Sequence, residues 1–162
     1  MVTDARNSVR IRDVEPEDLP LFYEHQLDPE ATGMADFPSR DRKTFMNHWA
    51  RLLNNEDTRT RTILYESKVA GNIVSAVYYD RREVSYWLGR EFWGKGIATQ
   101  ALATFLDEET TRPIYAHVAR HNIASFRVLE KCGFEVVREQ RSLLFMKLDD
   151  ETGSSHAVAA DP

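Results

Sequence analysis

The chain has 162 residues, of which 42% are apolar and 29% charged, and its net charge is −5. This length fits a single domain with enough apolar material for a packed core. The negative charge gives no general attraction to nucleic acid or anionic lipid, and no apolar run approaches the roughly 20 residues of a membrane span. A single cysteine excludes an intrachain disulfide framework, and Met1–Arg10 lacks the apolar core of a signal peptide, so we expect a cytoplasmic protein.

The first half of the chain predicts a strand followed by two helices. The elements are a strand over Val9–Arg12, a helix beginning at Glu15–Pro20, a loop over Gly33–Arg40 and a helix over Asp41–Leu53. Acidic residues and prolines are typical of a first helical turn, and the apolar spacing in the second helix is that of one buried face. The candidate core residues of the first helix are Leu21, Phe22 and Leu27.

The second half alternates strands and helices. It predicts a hairpin of Arg61–Tyr65 and Val69–Tyr79, a strand over Glu83–Leu88, a helix over Ile97–Glu109, a strand over Ile114–Val118, a helix over Asn122–Cys132 capped by Asn122, and two strands over Phe134–Val137 and Leu143–Leu148. This order predicts a single-domain α/β fold over residues 1–148, with a mixed sheet of about seven strands and about four helices. The acidic, small-residue segment 149–162 is expected to be a disordered tail.

The run Trp93–Leu102 brings two glycines, Gly94 and Gly96, into a turn between a strand and a helix. Such a turn exposes backbone N–H groups at a helix N-terminus and is suited to a phosphate or pyrophosphate. Three interpretations remain open: a P-loop, the pyrophosphate arm of coenzyme A, or an ordinary glycine turn. The P-loop pattern begins at Gly89 and is satisfied through Lys95, but Gly96 stands where Ser or Thr is required.

A second segment, His121–Phe134, opens a helix after a strand and ends in Gly-Phe before the next strand. Together with Tyr86–Thr99 it resembles the GNAT superfamily of N-acetyltransferases, and the RimJ/RimL-type branch within it. The resemblance is specific over Glu83–Phe134, whereas Val9–Tyr79 is similar only in the order of its elements.

This resemblance implies acetyl-CoA as the co-substrate. It implies that the backbone between Trp93 and Thr99 holds the pyrophosphate, with the N–H groups of Gly94, Lys95, Gly96, Ile97, Ala98 and Thr99. It also implies that the strand end at Trp87 and Leu88 pairs with the pantetheine arm. Asn122 would hydrogen-bond that arm, Phe126 would pack on it, and Lys131 and Arg127 would lie near the phosphates.

The same resemblance suggests the catalytic groups of a direct transfer without a covalent enzyme intermediate. An amine is mostly protonated at pH 7 and must lose a proton before it attacks an acyl carbon. Glu83 matches a Glu often found at this place in related enzymes, and the Leu88 N–H would donate to the thioester carbonyl. Many members protonate the leaving thiolate with a tyrosine whose place is held here by Leu129, so Ser125 or water would replace it.

The acceptor is expected to bind between the first two helices and the later strands. The segment from Asp13 to Asp41 carries nine acidic residues and only one basic residue, Arg40, and an acidic lip attracts cationic amines. We predict that Asp36 and the adjoining Phe37 contact the amine. The resemblance leaves open a protein N-terminal α-amine or a small-molecule amine, and it is compatible with a homodimer.

Two further expectations concern the remaining features. No HExxH or paired-cysteine pattern is present, so no metal is expected, and Cys132 is interpreted as a packing residue. An alternative of another class is a non-catalytic acyl-CoA-binding regulatory module, which the absence of a tyrosine at Leu129 favours.

Overall fold

The computed structural model describes residues 8–150, and its centre is a seven-stranded sheet. The strands are β1 Val9–Arg12, β2 Arg59–Tyr65, β3 Lys68–Tyr78, β4 Arg81–Leu88, β5 Ile114–Ala119, β6 Glu135–Glu139 and β7 Leu143–Leu148. Their order in the sheet is β1-β2-β3-β4-β5-β7-β6. All neighbours are antiparallel except β4 and β5, so the predicted mixed sheet is confirmed.

Five α-helices cover this sheet within residues 8–150. They are α1 Leu19–His25, α2 Pro29–Ala35, α3 Arg42–Asn54, α4 Ile97–Glu108 and α5 Ile123–Lys131. The caps follow the sequence signals: the Asp41 side chain accepts the Thr44 N–H, and the Asn122 side chain accepts the Ser125 N–H. Of the predicted tail, only Asp149 and Asp150 lie within the described residues.

Two expectations about the first helical region were wrong. Leu21 is 40% exposed because the short α1 turns only one face, centred on Phe22, to the sheet, and Leu27 is 46% exposed because it lies beyond the end of α1 at His25. The predicted loop over Gly33–Arg40 begins inside a helix, since α2 continues to Ala35. Asp28 caps that helix through the Glu30 N–H, a start signal that sequence reasoning did not use.

The sheet separates two hydrophobic clusters. On one face, α4 and α5 pack over β4 and β5, with Phe105, Leu102 and Ile114 fully buried. On the other face, α1 and α3 pack over β3 through Phe22 and Trp49, whose ring centroids are 5.1 Å apart. The two faces of β4 therefore meet different helices, which is what gives the site two distinct sides.

A buried carboxylate joins β1 and β2 to the start of α1. Asp18 accepts hydrogen bonds from the Arg12 guanidinium at 2.7 and 2.9 Å and from the Thr62 hydroxyl at 2.7 Å. Burial by itself raises the pKa of Asp18, but these bonds and the Glu15 N–H outweigh it and hold the pKa below its ordinary value. The carboxylate thus stays ionised and fixes the helices of the first half against the sheet edge.

Candidate active site

The sheet opens between β4 and β5. The two strands are parallel, and they pair only at Glu83 and Tyr115, near the start of each strand. Towards their carboxyl ends they diverge, so the edge of β4 that follows Glu83 has no strand partner there. An unpaired strand edge presents backbone donors and acceptors that an extended ligand can use.

The backbone N–H of Leu88 points into this gap. On the other side, β4 pairs with β3, and the Gly89 N–H donates to the Ala70 carbonyl at 2.8 Å. Because hydrogen-bonded and non-hydrogen-bonded pairs alternate in an antiparallel ladder, the adjoining pair of Gly71 and Leu88 is not hydrogen-bonded. The Leu88 N–H and carbonyl therefore face away from β3, and the carbonyl accepts a hydrogen bond from the Trp93 indole N–H at 3.0 Å.

Gly71 allows β3 and β4 to approach closely at this point. A Cβ on Gly71 would lie 2.1 Å from the Trp87 carbonyl oxygen and 3.0 Å from Leu88 Cα. Both are backbone atoms, which cannot rotate away as a flexible side chain can. The absence of a side chain at residue 71 therefore determines the position of the Leu88 N–H.

The turn before α4 exposes its backbone. Gly94 and Gly96 have φ of 76° and 75°, and nothing lies within 4 Å of a Cβ built on either. Gly96 is the N-cap and makes no side-chain cap hydrogen bond, so the first N–H groups of α4 are left for a ligand. Lys95 is exposed between the two glycines, whereas the Ile97 side chain is 1% exposed and contributes only its N–H.

This geometry does not fit a P-loop. The residues that would wrap a phosphate, Arg90–Phe92, form a short 3-10 helix, and Phe92 is buried in the core. Gly89 is itself buried against His25, whose ring atoms lie 2.8 Å from a Cβ built on the glycine. The open part of the turn is confined to residues 94–96.

The first turn of α5 lies beside β4. The Ser125 and Tyr86 hydroxyl oxygens are 2.9 Å apart, and burial raises the pKa of Tyr86 to about 12. Leu129 lies one turn further on and is buried in the apolar core, so it offers no donor. Phe126 is partly buried against the same core.

The other end of α5 approaches the start of α4. The Cys132 thiol lies 3.7 Å from the Thr99 carbonyl, and burial raises the pKa of Cys132 to about 11. A thiol with such a pKa stays protonated at neutral pH, in agreement with a packing role. Lys131, the residue before it, is exposed.

The opposite face of β4 carries a second group of polar side chains. Alternation along the strand turns Glu83, Ser85 and Trp87 away from α4 and α5. Trp87 donates its indole N–H to the His25 carbonyl at 3.3 Å, at the end of α1. Glu83 Oε1 lies 3.1 Å from Nδ1 of His117 on β5.

The segment that follows α2 overhangs this face and is held in place by one buried side chain. Gln26 is 6% exposed, and its amide accepts the Arg40 N–H at 2.7 Å and donates to the Arg40 carbonyl at 3.1 Å. Asp36 ends α2 in a left-handed conformation and is exposed. Phe37 is 40% exposed, with the Arg40 guanidinium 4.8 Å above its ring.

Comparison with known proteins decides the family. A family model described as "Acetyltransferase (GNAT) domain" matches residues 8–135, most of the chain. This protein belongs to the GNAT acetyltransferase family. Among curated protein sequences, none matches the chain.

Solved structures agree on the GNAT fold at low identity. RimL, a ribosomal L7/L12 alpha-N-protein acetyltransferase in complex with coenzyme A, has a TM-score of 0.76 at 14% identity, over 91% of this chain and 97% of that one. A spermidine N-acetyltransferase from Vibrio cholerae, in complex with CoA and spermine, has a TM-score of 0.76 at 18% identity, over 90% and 97%. An acetyltransferase from Thermus thermophilus has a TM-score of 0.73 at 18% identity, over 88% and 97%.

Most of the nine acidic side chains between Asp13 and Asp41, predicted to attract an amine in this GNAT domain, interact with other residues of the chain. Five of the nine acidic side chains pair with Arg12, Arg61 or Arg90, and Asp41 caps α3. Within residues 8–150 no ion pair involves the other three, which are Glu17, Glu24 and Asp36. Of the two predicted acceptor contacts, Asp36 therefore keeps an available charge.

Sequence reasoning missed two side chains that this GNAT site contains. In the sequence, Tyr86 is only the first residue of the Tyr86–Thr99 motif, and no role was predicted for His117. The alternation of β4 puts Tyr86 on the side of α5, and that of β5 puts His117 on the side of Glu83, so strand parity was the available signal. In the described part of the chain no group of three metal-ligating side chains is present, and no helix is long and apolar enough to span a bilayer.

Proposed function

We propose that this protein is an acetyl-CoA-dependent N-acetyltransferase that transfers an acetyl group directly to a primary amine. One observation carries the proposal: the gap between β4 and β5, with the Leu88 N–H facing into it, lies beside the uncapped N-terminus of α4. The Trp93 indole N–H donates to the Leu88 carbonyl and so links the end of β4 to the turn before α4. A ligand with a pyrophosphate at one end and a thioester at the other fits donors arranged in this way.

The residues present fit coenzyme A. The N–H groups from Gly94 to Thr99 would hold the pyrophosphate, aided by Lys95 and Lys131, in the open space over the two glycines. The edge of β4 at Trp87 and Leu88 would pair with the pantetheine arm, with Asn122 and Phe126 beside it. When bound, acetyl-CoA supplies an acyl group on a thiol leaving group.

The chain's own groups then act from the two faces of β4. The Leu88 N–H donates to the acetyl carbonyl oxygen, where negative charge develops as the amine attacks. On the face of α1 and α2, Glu83 takes part in removing the amine proton. On the face of α5, the Ser125 hydroxyl donates a proton towards the leaving sulfur.

The acceptor is a primary amine held under the Gln26-anchored segment by Asp36 and Phe37. The proposed acceptors are a protein N-terminal α-amine and a small-molecule amine. RimL, a structure with the same fold, acts on the protein L7/L12, and the Vibrio cholerae structure is a spermidine N-acetyltransferase. The finer assignment to the RimJ/RimL-like branch belongs to this proposal and rests on the motifs of Tyr86–Thr99 and His121–Phe134.

Thermal shift and transfer assays test the proposal. Acetyl-CoA and free coenzyme A are expected to raise the melting temperature, since a ligand at 100 times its Kd stabilises the folded protein by about 2.7 kcal/mol. ATP with Mg²⁺ is expected to leave the melting temperature unchanged. Acetylation of N-terminal peptides or polyamines with a sequential initial-velocity pattern would support direct transfer. Binding without turnover on any amine would favour a regulatory acyl-CoA-binding module, and no shift with coenzyme A would overturn both.

Ser125 and Tyr86 give a separate prediction. At a pKa of about 12 the Tyr86 phenol stays protonated, so it can donate to Ser125 Oγ and leave the Ser125 proton free for the sulfur. Ser125→Ala is expected to lower kcat about 10-fold, and Tyr86→Phe by less, with the KM for acetyl-CoA nearly unchanged. The matched controls are Ser142→Ala and Tyr65→Phe. If Ser125→Ala keeps the kcat of the wild type, water and not Ser125 protonates the leaving sulfur.

A further inference from the structure

His117 and Glu83 form a bridge between β4 and β5 where the two strands begin to separate. The Nδ1–Oε1 distance is 3.1 Å, and the two side chains are 53% and 25% exposed. Both lie on the face of α1 and α2, opposite to Tyr86, because His117 contacts Glu83 and the Phe145 ring rather than the α5 side of the sheet. The imidazole is therefore open to the side from which the acceptor is proposed to bind.

The strand register separates Glu83 from the reaction centre. Leu88 lies five residues after Glu83 along the extended strand, and at ~3.3 Å per residue their Cα atoms are roughly 16 Å apart. The parallel pairing of Glu83 with Tyr115 brings His117 level with Ser85, which is roughly 10 Å from Leu88 along the strand axis. Along the strand axis, the backbone of His117 is thus nearer to Leu88 than that of Glu83.

We propose that His117 is the catalytic base of this enzyme and that Glu83 is a positioning residue. The inference rests on the proposed acetyl transfer. Glu83 accepts the Nδ1 proton and so leaves Nε2 as the free acceptor, the same division of labour by which a carboxylate orients a general base in hydrolases. Nε2 takes a proton from the ammonium group of the acceptor through intervening water.

The step balances without a further reactant. One N–H proton passes to Nε2 and from there to solvent, which leaves the nitrogen lone pair free. That pair forms the C–N bond to the acetyl carbon while the C–S bond breaks. The second N–H proton is lost as the amide forms, and the sulfur leaves as a thiol after taking one proton. The net products are an N-acetyl amide, free coenzyme A and one proton.

The charges around His117 favour a base that works near neutral pH. Charged side chains on the face of the sheet that carries His117 are Arg81 and Glu83 on β4, Lys147 on β7, and Glu135 and Arg138 on β6, with Glu30 on α2 and Asp36 at its end. Of these, Arg81 and Arg138 are stacked on aromatic rings, Lys147 pairs with Asp149, and Glu30 pairs with Arg90. The hydrogen bond that His117 makes to the Glu83 carboxylate raises the pKa of His117, against the opposing effect of burial.

The test is the pH dependence of kcat. In the wild type, kcat is expected to rise through a limb above the ordinary imidazole value of about 6.5, because the base works only when deprotonated. His117→Gln is expected to remove this limb and lower kcat by about 100-fold. Glu83→Gln is expected to keep the limb and move it to lower pH, because the charge that stabilises the imidazolium is gone. Glu108→Gln, which removes a carboxylate that pairs with Arg61 far from β5, is the matched control and is expected to change nothing.

A second readout does not depend on turnover. The His117 imidazole resonance, assigned by its absence in His117→Gln, is expected to titrate at the pH of the kinetic limb in the wild type and to shift with it in Glu83→Gln. All variants are expected to keep the melting temperature and the coenzyme A thermal shift of the wild type.

The outcomes separate this inference from the proposed function. A pH limb that survives in His117→Gln and is lost in Glu83→Gln would make Glu83 the base and overturn the inference alone. A kcat profile in His117→Gln identical to that of the wild type would also overturn it. If the wild type binds no coenzyme A and acetylates no amine, the proposed function and this inference fail together.

Discussion

Gly71→Ala is expected to lower kcat by about 100-fold and the melting temperature by several degrees. The new Cβ would lie 2.1 Å from the Trp87 carbonyl oxygen, and neither atom belongs to a flexible side chain, so β3 and β4 must move apart. Overpacking of this kind costs about 1–3 kcal/mol, which lowers the melting temperature of a domain of this size by roughly 2–4 °C per kcal/mol. The same movement displaces the Leu88 N–H, and a 1 Å misplacement of a catalytic donor costs about 100-fold in rate.

The measurement is steady-state kinetics with a thermal melt of the same preparation. Gly33→Ala is the matched control, because nothing lies within 4 Å of a Cβ built there and the residue is helical. That control is expected to keep kcat and to gain up to about 1 kcal/mol of stability from helix propensity. If Gly71→Ala behaves like Gly33→Ala, the Leu88 N–H is not held by the close approach of the two strands.

Gly96→Ala is expected to act on acetyl-CoA binding rather than on the chemical step. Gly96 has φ of 75°, and an alanine in this left-handed region costs about 1–2 kcal/mol. The helix can avoid that cost only by turning its first N–H groups away, which would remove hydrogen bonds to phosphate worth about 1.5–3 kcal/mol each. At 1.4 kcal/mol per tenfold change, the KM for acetyl-CoA is expected to rise by about 10- to 100-fold.

Isothermal titration with free coenzyme A, beside the kinetics, distinguishes binding from turnover. At saturating acetyl-CoA the kcat of Gly96→Ala is expected to remain within about threefold of the wild type, since Leu88 and His117 are untouched. Here too Gly33→Ala serves as the control. A large loss of kcat with an unchanged KM would show that the turn supports the reaction centre instead of the phosphates.

The two glycine predictions differ because the two positions differ in space, not in residue type. Gly94 and Gly96 have open space around a Cβ and require a left-handed backbone. Gly71 is buried against the backbone of the neighbouring strand β4. The strand-to-helix context of Gly94 and Gly96 was visible in the sequence. Nothing in the sequence around Gly71 distinguished it from a glycine in any strand.

Local signals along the chain were enough to predict the strands, four of the five helices, the mixed sheet and the glycine turn, but not α2. Alternation, helix caps and turn residues act over a few neighbours, so Asp41, Asn122 and the hairpin before β4 could be assigned from the sequence alone. The same signals did not predict which apolar residues are exposed around the short helix α1. Leu27 is apolar but exposed, because it follows the end of the short α1 at His25.

Only the tertiary structure decided which side chains meet. The pairing of Glu83 with His117 joins residues 34 positions apart, and that of Tyr86 with Ser125 joins residues 39 apart. Both depend on the register of two parallel strands and on the helix laid against them, which no local pattern encodes. The sequence by itself determined most of the elements and the glycine turn before α4, because those follow from neighbouring residues. The divergence of β4 from β5, the outward Leu88 N–H and the placement of polar side chains on both faces of β4 arise from long-range packing, and they appear only once the sheet is assembled.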